Sequence, residues 1–160
     1  MIFVTTGASE WGFPRLVKQA DELTGRIDEE VIIQVGAADY IPRNARHFDF
    51  ASSGEIQGLI EESRLVISHG GVGTILDVLE RGRPLIAVPR LRKYGEVIDD
   101  HQLQLVQELE KGGRLTAVYD TDGLEEALQR LNSNTAIYTR DMRLVQALKK
   151  YVAGFERKPR

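Results

Sequence analysis

Residues 68–74 read Ser-His-Gly-Gly-Val-Gly-Thr and follow the apolar run Leu65-Val66-Ile67. Glycine loses more conformational freedom on folding than any other residue and contributes no side chain to packing. Gly70, Gly71 and Gly73 together therefore imply that something approaches this backbone closely. A phosphate group is one answer. The loop lies between a buried strand and a helix expected to begin near Val72 or Thr74. A helix start presents unpaired N–H groups and the positive end of its dipole, which together bind anions. Thr74 adds a hydroxyl donor. Asp77, one turn beyond Gly73, projects at the same end of that helix, where a carboxylate accepts hydrogen bonds from two ribose hydroxyls while the helix start holds phosphates. Each feature also has a plain structural reading: a tight strand-to-helix turn for the glycines, and favourable first-turn charge for Asp77. Two well-known phosphate loops do not fit. A P-loop needs a lysine that is missing here, and a dinucleotide fingerprint needs a third glycine where Leu76 stands.

The elements that must position this loop are short apolar runs alternating with stretches of helical period. The runs are Ile2–Thr6, Val31–Val35, Phe48–Phe50, Leu65–Ser68, Leu85–Val88 and Leu115–Val118. They are continuous rather than alternating, as in strands covered on both faces. Helices are expected over Pro14–Thr24, Ser53–Ser63, Val72–Arg81, Asp100–Lys111, Gly123–Leu131 and Ala136–Gly154, with Pro14 in a first turn and Gly82 at a helix end. This pattern predicts one α/β domain over residues 1–160, Rossmann-like and doubly wound around a mostly parallel sheet. In such sheets ligands bind beyond the carboxyl ends of the strands, which singles out Thr6, Gly7, Ala8 and Ser9 as the facing wall of a diphosphate site.

Composition narrows the classes. The chain is 42% hydrophobic and 28% charged with a net charge of −3, so no global charge recruits nucleic acid or anionic lipid. Cysteine is absent, which removes disulfides and thiolate metal sites. No apolar run approaches the roughly 20 residues that cross a bilayer, and the first residues lack the basic and apolar regions of a signal peptide. His47, His69 and His101 have no metal-ligand spacing, and no metal or cofactor is expected. Asp120-Thr121-Asp122 matches the D-x-D of metal-dependent sugar transferases but reads better as a turn and N-cap.

The stretch HGGVGTILDVLERGRPLIAVPR, with DDHQLQLVQELEKGG after it, resembles the donor-binding half of family-28 glycosyltransferases. The family pattern is a Gly-Gly-x-Gly-Thr loop, an acidic residue three positions on, Gly-x-Pro, a strand ending in Pro, and a downstream Gln. Gly70, Gly71, Gly73, Thr74, Asp77, Gly82, Pro84, Pro89 and Gln102 match it; the acidic position is more often Glu. The opening IFVTTGASEWGFPRLVKQADEL is similar to that of the catalytic subunits of split glycosyltransferases. Those include the dolichol-pathway N-acetylglucosamine transferases and bacterial exopolysaccharide transferases, and PRLRKYGEVIDDHQ is closest to the latter. The resemblance covers about residues 1–130.

The resemblance implies the donor half of a GT-B enzyme that moves N-acetylglucosamine or glucuronic acid, with inversion, from a UDP-sugar to a lipid-linked diphosphate acceptor. It implies that Gln102 contacts sugar hydroxyls and that His101 contacts the donor or caps its helix, with Asp99 or Asp100 as the alternative cap. Arg90, Arg92 and Lys93, just past Pro89, would stabilise the leaving diphosphate or recognise a carboxylate sugar; a solvated loop is the bland alternative. Trp11 would stack on a base, touch a partner, or simply cover the first loop. No catalytic base stands out beyond His101, and the chain is long enough for only the donor domain. A membrane-anchored partner would then supply the acceptor site and hold the chain at the cytosolic face of a membrane. The apolar face of the last helix (Ile137, Leu144, Val145, Leu148, Tyr151, Val152, Phe155) would meet either that partner or its own domain. A nucleotide-sugar epimerase and a non-catalytic nucleotide-binding scaffold are the competing readings.

Overall fold

The computed structural model describes residues 1–97, 101–133 and 141–156. Six parallel strands form one sheet: β1 (Ile2–Thr5), β2 (Val31–Gln34), β3 (Arg46–Phe48), β4 (Leu65–Ser68), β5 (Leu85–Ala87) and β6 (Thr116–Ala117). The helices are α1 (Pro14–Thr24), α2 (Ser53–Glu62), α3 (Val72–Glu80), α4 (His101–Lys111), α5 (Leu124–Ser133) and α6 (Met142–Glu156). The spatial order is β3-β2-β1-β4-β5-β6, so the order reverses between β1 and β4. β1 pairs with both β2 and β4 in parallel, with Thr5 opposite Gln34 on one side and Ser68 on the other.

Successive side chains on a strand face opposite ways, and here both faces are dry. Ile2, Val4, Ile33, Leu65, Ile67 and Ile86 pack with Leu16, Val17 and Ala20 of α1 and with Leu124, Ala127 and Leu128 of α5. Phe3, Ile32, Val66, Leu85 and Ala87 pack on the other side with Ile60 of α2, Ile75 and Val78 of α3, Val106 and Leu109 of α4, and Leu148 of α6. Two-sided burial is the reason for the continuous apolar runs.

β3 departs from expectation. It runs over Arg46–Phe48 rather than Phe48–Phe50, and Arg46 and His47 are exposed. An edge strand needs no apolar run on both faces, so apolar periodicity misplaces it. α1 opens with Pro14 in its first turn. α2 opens with a capping box between Ser52 and Glu55. After α3, Gly82 takes φ +61° and its N–H donates to the Leu79 carbonyl, closing the helix. Asp120-Thr121-Asp122 leads through a 3-10 turn (Thr121–Gly123) into α5, with no side-chain cap from Asp120. The expected start of the last helix, with Ile137, and the expected caps Asp99 and Asp100 lie outside the described residues. α6 packs on its own domain, against α3: Val145 and Leu148 are buried, and Lys149 pairs with Glu80 of α3. No helix among the described residues is long and apolar enough to cross a membrane.

Candidate functional site

Two loops leave the sheet where its order reverses, one after β1 and one after β4, and they start alike. Thr5 ends β1 and its Oγ1 accepts the N–H of Gly7 at 3.1 Å. Ser68 ends β4 and its Oγ accepts the N–H of Gly70 at 3.3 Å. Gly7 and Gly70 have φ of +79° and +80°, which only glycine adopts readily. Both chains thus turn sharply at the carboxyl edge.

Between the two loops lies the imidazole of His69. A β-carbon at Gly7 would sit 2.5 Å from His69 Cε1, and one at Gly71 would overlap Nε2. Gly70 is tight for another reason, since its β-carbon would lie 3.0 Å from Val106 Cγ2. The close approach read from the sequence is therefore met at Gly7 and Gly71 by a histidine ring of the protein itself. Gly73 is different. It is exposed, its φ is ordinary, and a β-carbon there would meet nothing within 4 Å. Neither backbone conformation nor packing requires glycine at this position, inside the first turn of α3.

That first turn leaves its leading N–H groups without a side-chain cap, as an anion site requires. Gly71 is the N-cap and offers no side chain to the leading N–H groups, and the first intrahelical bond is Ile75 N–H to Gly71 O at 3.0 Å. Thr74 and Asp77 follow on the same helix, both partly exposed. The Asp77 carboxylate accepts from Gln57 Nε2 at 3.4 Å and lies 3.5 Å from Arg81 NH1, so neighbours on α2 and α3 orient it.

His69 itself is 9% exposed, and its Nδ1 has no hydrogen-bond partner among the described residues. Burial, then the nearby Arg90 guanidinium, push its pKa down to about 4 against a small opposing pull from the Thr5 carbonyl. The ring is uncharged near neutral pH. Sequence spacing gave His69 no role beyond a rejected metal ligand. The signal available was the run of small residues on both sides of it and again at Gly7.

Two of the expected ligand contacts also have partners inside the protein. Thr6 is buried and its hydroxyl donates to the Gln34 carbonyl at 3.2 Å. Arg90 is 3% exposed and donates to the carbonyls of Gly12 (2.9 Å), Thr6 (3.2 Å) and Trp11 (2.9 Å), with Phe13 stacked 4.6 Å from its guanidinium carbon. A guanidinium so committed fastens the first loop across the sheet edge. Arg92 and Lys93 are exposed in a 3-10 turn (Arg92–Tyr94). That turn is held by Glu96, which accepts from Arg15 at 2.8 and 2.9 Å and from Leu91 N–H at 2.9 Å.

A cavity of about 280 Å³ opens beside His69 and is lined also by Ser9, Trp11, Arg90, Glu96, Val97 and Gln102. Gln102 lies in the first turn of α4, with its Oε1 buried and unpartnered among the described residues. His101, before it, is exposed and engaged in an interaction of its own. Thus Gly7, Ser9, Gly71 and Gln102 converge around His69, with Gly73, Thr74 and Asp77 on the adjoining helix start. Among the described residues no group of His, Asp or Glu could hold a metal ion.

The description "Glycosyltransferase family 28 C-terminal domain" matches the chain over residues 1–153. The UDP-N-acetylglucosamine transferase subunit ALG13 of Homo sapiens is 28% identical over 123 residues, 71% of this chain and 10% of the human one. Its namesake from Eremothecium gossypii is 32% identical over 125 residues, 77% of this chain and 60% of the relative. The chain therefore spans from a tenth to three fifths of these relatives. Among solved structures, the glycotransferase of kitacinnamycin matches with a TM-score of 0.68 at 18% identity, covering 93% of this chain and 39% of that one. The solution structure of ALG13 matches with a TM-score of 0.55 at 23% identity, covering 87% of both. At these identities the likeness shows the fold, which is the Rossmann-like fold of GT-B donor-binding domains.

Proposed function

The chain belongs to the glycosyltransferase family 28 C-terminal domain family, and from that premise we propose that it is the donor-binding catalytic subunit of a UDP-sugar-dependent transferase. The sugar passes, with inversion, to a lipid-linked diphosphate acceptor held by a membrane-anchored partner. The word "subunit" in the relatives' names supports the partner. In this reading the N–H groups at the start of α3 hold the diphosphate, Thr74 adds a donor, and Asp77 takes the ribose hydroxyls. As the glycosidic bond breaks, negative charge grows on the leaving UDP, and the fixed dipole of α3 stabilises it without reorganisation.

Gly73 carries the assignment. A glycine inside a helix costs about 0.5–1 kcal/mol relative to alanine, and nothing among the described residues requires one here. A ligand that approaches the helix start explains it. Gly73→Val should therefore fold as well as the parent, yet lose the rise in melting temperature that UDP causes by mass action. An undiminished UDP response in the folded variant would remove this loop from the donor site.

A further inference from the structure

The cavity beside His69 has a chemical character of its own. At about 280 Å³ it falls just below the ~300–1,000 Å³ of sites that take whole drug-sized ligands, so it suits a single sugar ring. Among the described residues its two charged side chains are already matched: Arg90 by three carbonyls, Glu96 by Arg15 and the Leu91 N–H. What stays unpaired among the described residues is neutral, namely Gln102 Oε1 and His69 Nδ1. Buried polar atoms without partners are unfavourable unless a ligand completes them, and hydroxyl groups do so.

Trp11 supplies the other half. It lines this cavity and is 47% exposed. Its backbone is pinned on both sides, with N–H to Ser9 Oγ at 3.1 Å and its carbonyl to Arg90 at 2.9 Å. A flat apolar ring is thus held at the mouth of a polar, uncharged pocket. A pyranose has the matching surfaces, a face of C–H bonds and a rim of hydroxyls. We propose that Trp11 is the platform for the donor's sugar ring, and that this subsite takes an uncharged hexose or N-acetylhexosamine in preference to a uronic acid. The proposal rests on the donor-binding reading above and narrows its substrate.

Trp11 is the chain's single tryptophan, so its fluorescence reports this site alone. UDP, UDP-glucose, UDP-N-acetylglucosamine and UDP-glucuronic acid would be titrated into the chain, with affinities read by calorimetry. The neutral UDP-sugars should shift the emission and bind more tightly than UDP, while UDP alone leaves the emission nearly unchanged. Trp11→Ala keeps both backbone hydrogen bonds and should lose about tenfold in affinity for the preferred UDP-sugar, but nothing for UDP. Trp11→Phe should recover most of that loss. Tighter binding of UDP-glucuronic acid, or a Trp11→Ala variant that still favours UDP-sugar over UDP as the parent does, would overturn the subsite while leaving the donor domain standing. If UDP itself does not bind, the donor-binding reading falls and takes this subsite with it.

Discussion

Gly7 and Gly71 close on the two sides of the His69 ring, and the surroundings of that ring fix a dependence on pH. An unfolded histidine titrates near 6.5, whereas burial and Arg90 bring His69 to about 4. Between those values the unfolded chain holds the extra proton. This contribution to stability is complete above about pH 6.5 and is lost as pH falls towards 4, with a slope of at most about 1.4 kcal/mol per pH unit. Urea unfolding of the parent and of His69→Gln from pH 4.5 to 7 should give a flatter profile for the variant, and parallel profiles would contradict the assignment. Asp77 permits a second test. If it grips ribose, Asp77→Ala should weaken UDP by about 1.5–3 kcal/mol and inorganic diphosphate hardly at all; equal weakening of both would leave it as a helix-start charge paired with Arg81. At this scale the sequence was half legible. It marked where backbone must be bare, but the same glycines serve a buried ring, a sharp turn or a ligand. Only spatial neighbours separate Gly71 from Gly73. Arg90 shows the same ambiguity: a guanidinium beside a ligand edge reads as a binding group, and only the structure shows the carbonyls of Thr6, Trp11 and Gly12 that also hold it.

The elements were far more legible, because a strand covered on both sides leaves a mark that needs no partner to be read. β1, β2, β4 and β5 fall on the apolar runs to within a residue, and α1 occupies the expected Pro14–Thr24. β3 was misplaced because it is an edge, and β6 is shorter than its run because it is the other edge. The last helix was read correctly as amphipathic, but its sequence does not say which surface its apolar stripe meets. It meets α3, the helix whose first turn is the proposed anion site. Burying Val145 and Leu148 there contributes on the order of 1.5–3 kcal/mol each, and the Lys149–Glu80 pair adds a second tie. Ending the chain at Ser133 should therefore lower the melting temperature and also weaken UDP, because α3 loses its backing. Calorimetric titration of the shortened chain checks this. A stable product with undiminished UDP affinity would show that α6 does not support the donor helix.

For the molecule as a whole, the loops proposed to bind the donor leave one edge of the sheet, where its order reverses. The groups proposed to bind the donor converge between β1 and β4, and two titratable side chains beside them, His69 and Glu96, are not placed to take a proton from an acceptor hydroxyl. His69 is buried and packed between glycines, and Glu96 is tied to Arg15. Transfer requires that the acceptor oxygen lie in near-attack geometry with a base within hydrogen-bond reach. Holding both reactants so is worth roughly 7–11 kcal/mol of barrier in well-oriented systems, a factor that a donor domain acting alone forfeits. The purified chain should thus bind UDP-sugar and still transfer almost nothing to a polyprenyl diphosphate-linked acceptor. Membranes containing the anchored partner, added to the same chain, should raise the rate by several orders of magnitude. The gain should disappear with Gly73→Val, since the partner can supply an acceptor site but not the first turn of α3. Measuring radiolabelled sugar in the lipid fraction, with and without the partner, decides the matter: brisk transfer by the chain alone, at a rate the partner does not change, would mean that the acceptor site is already present in these 160 residues.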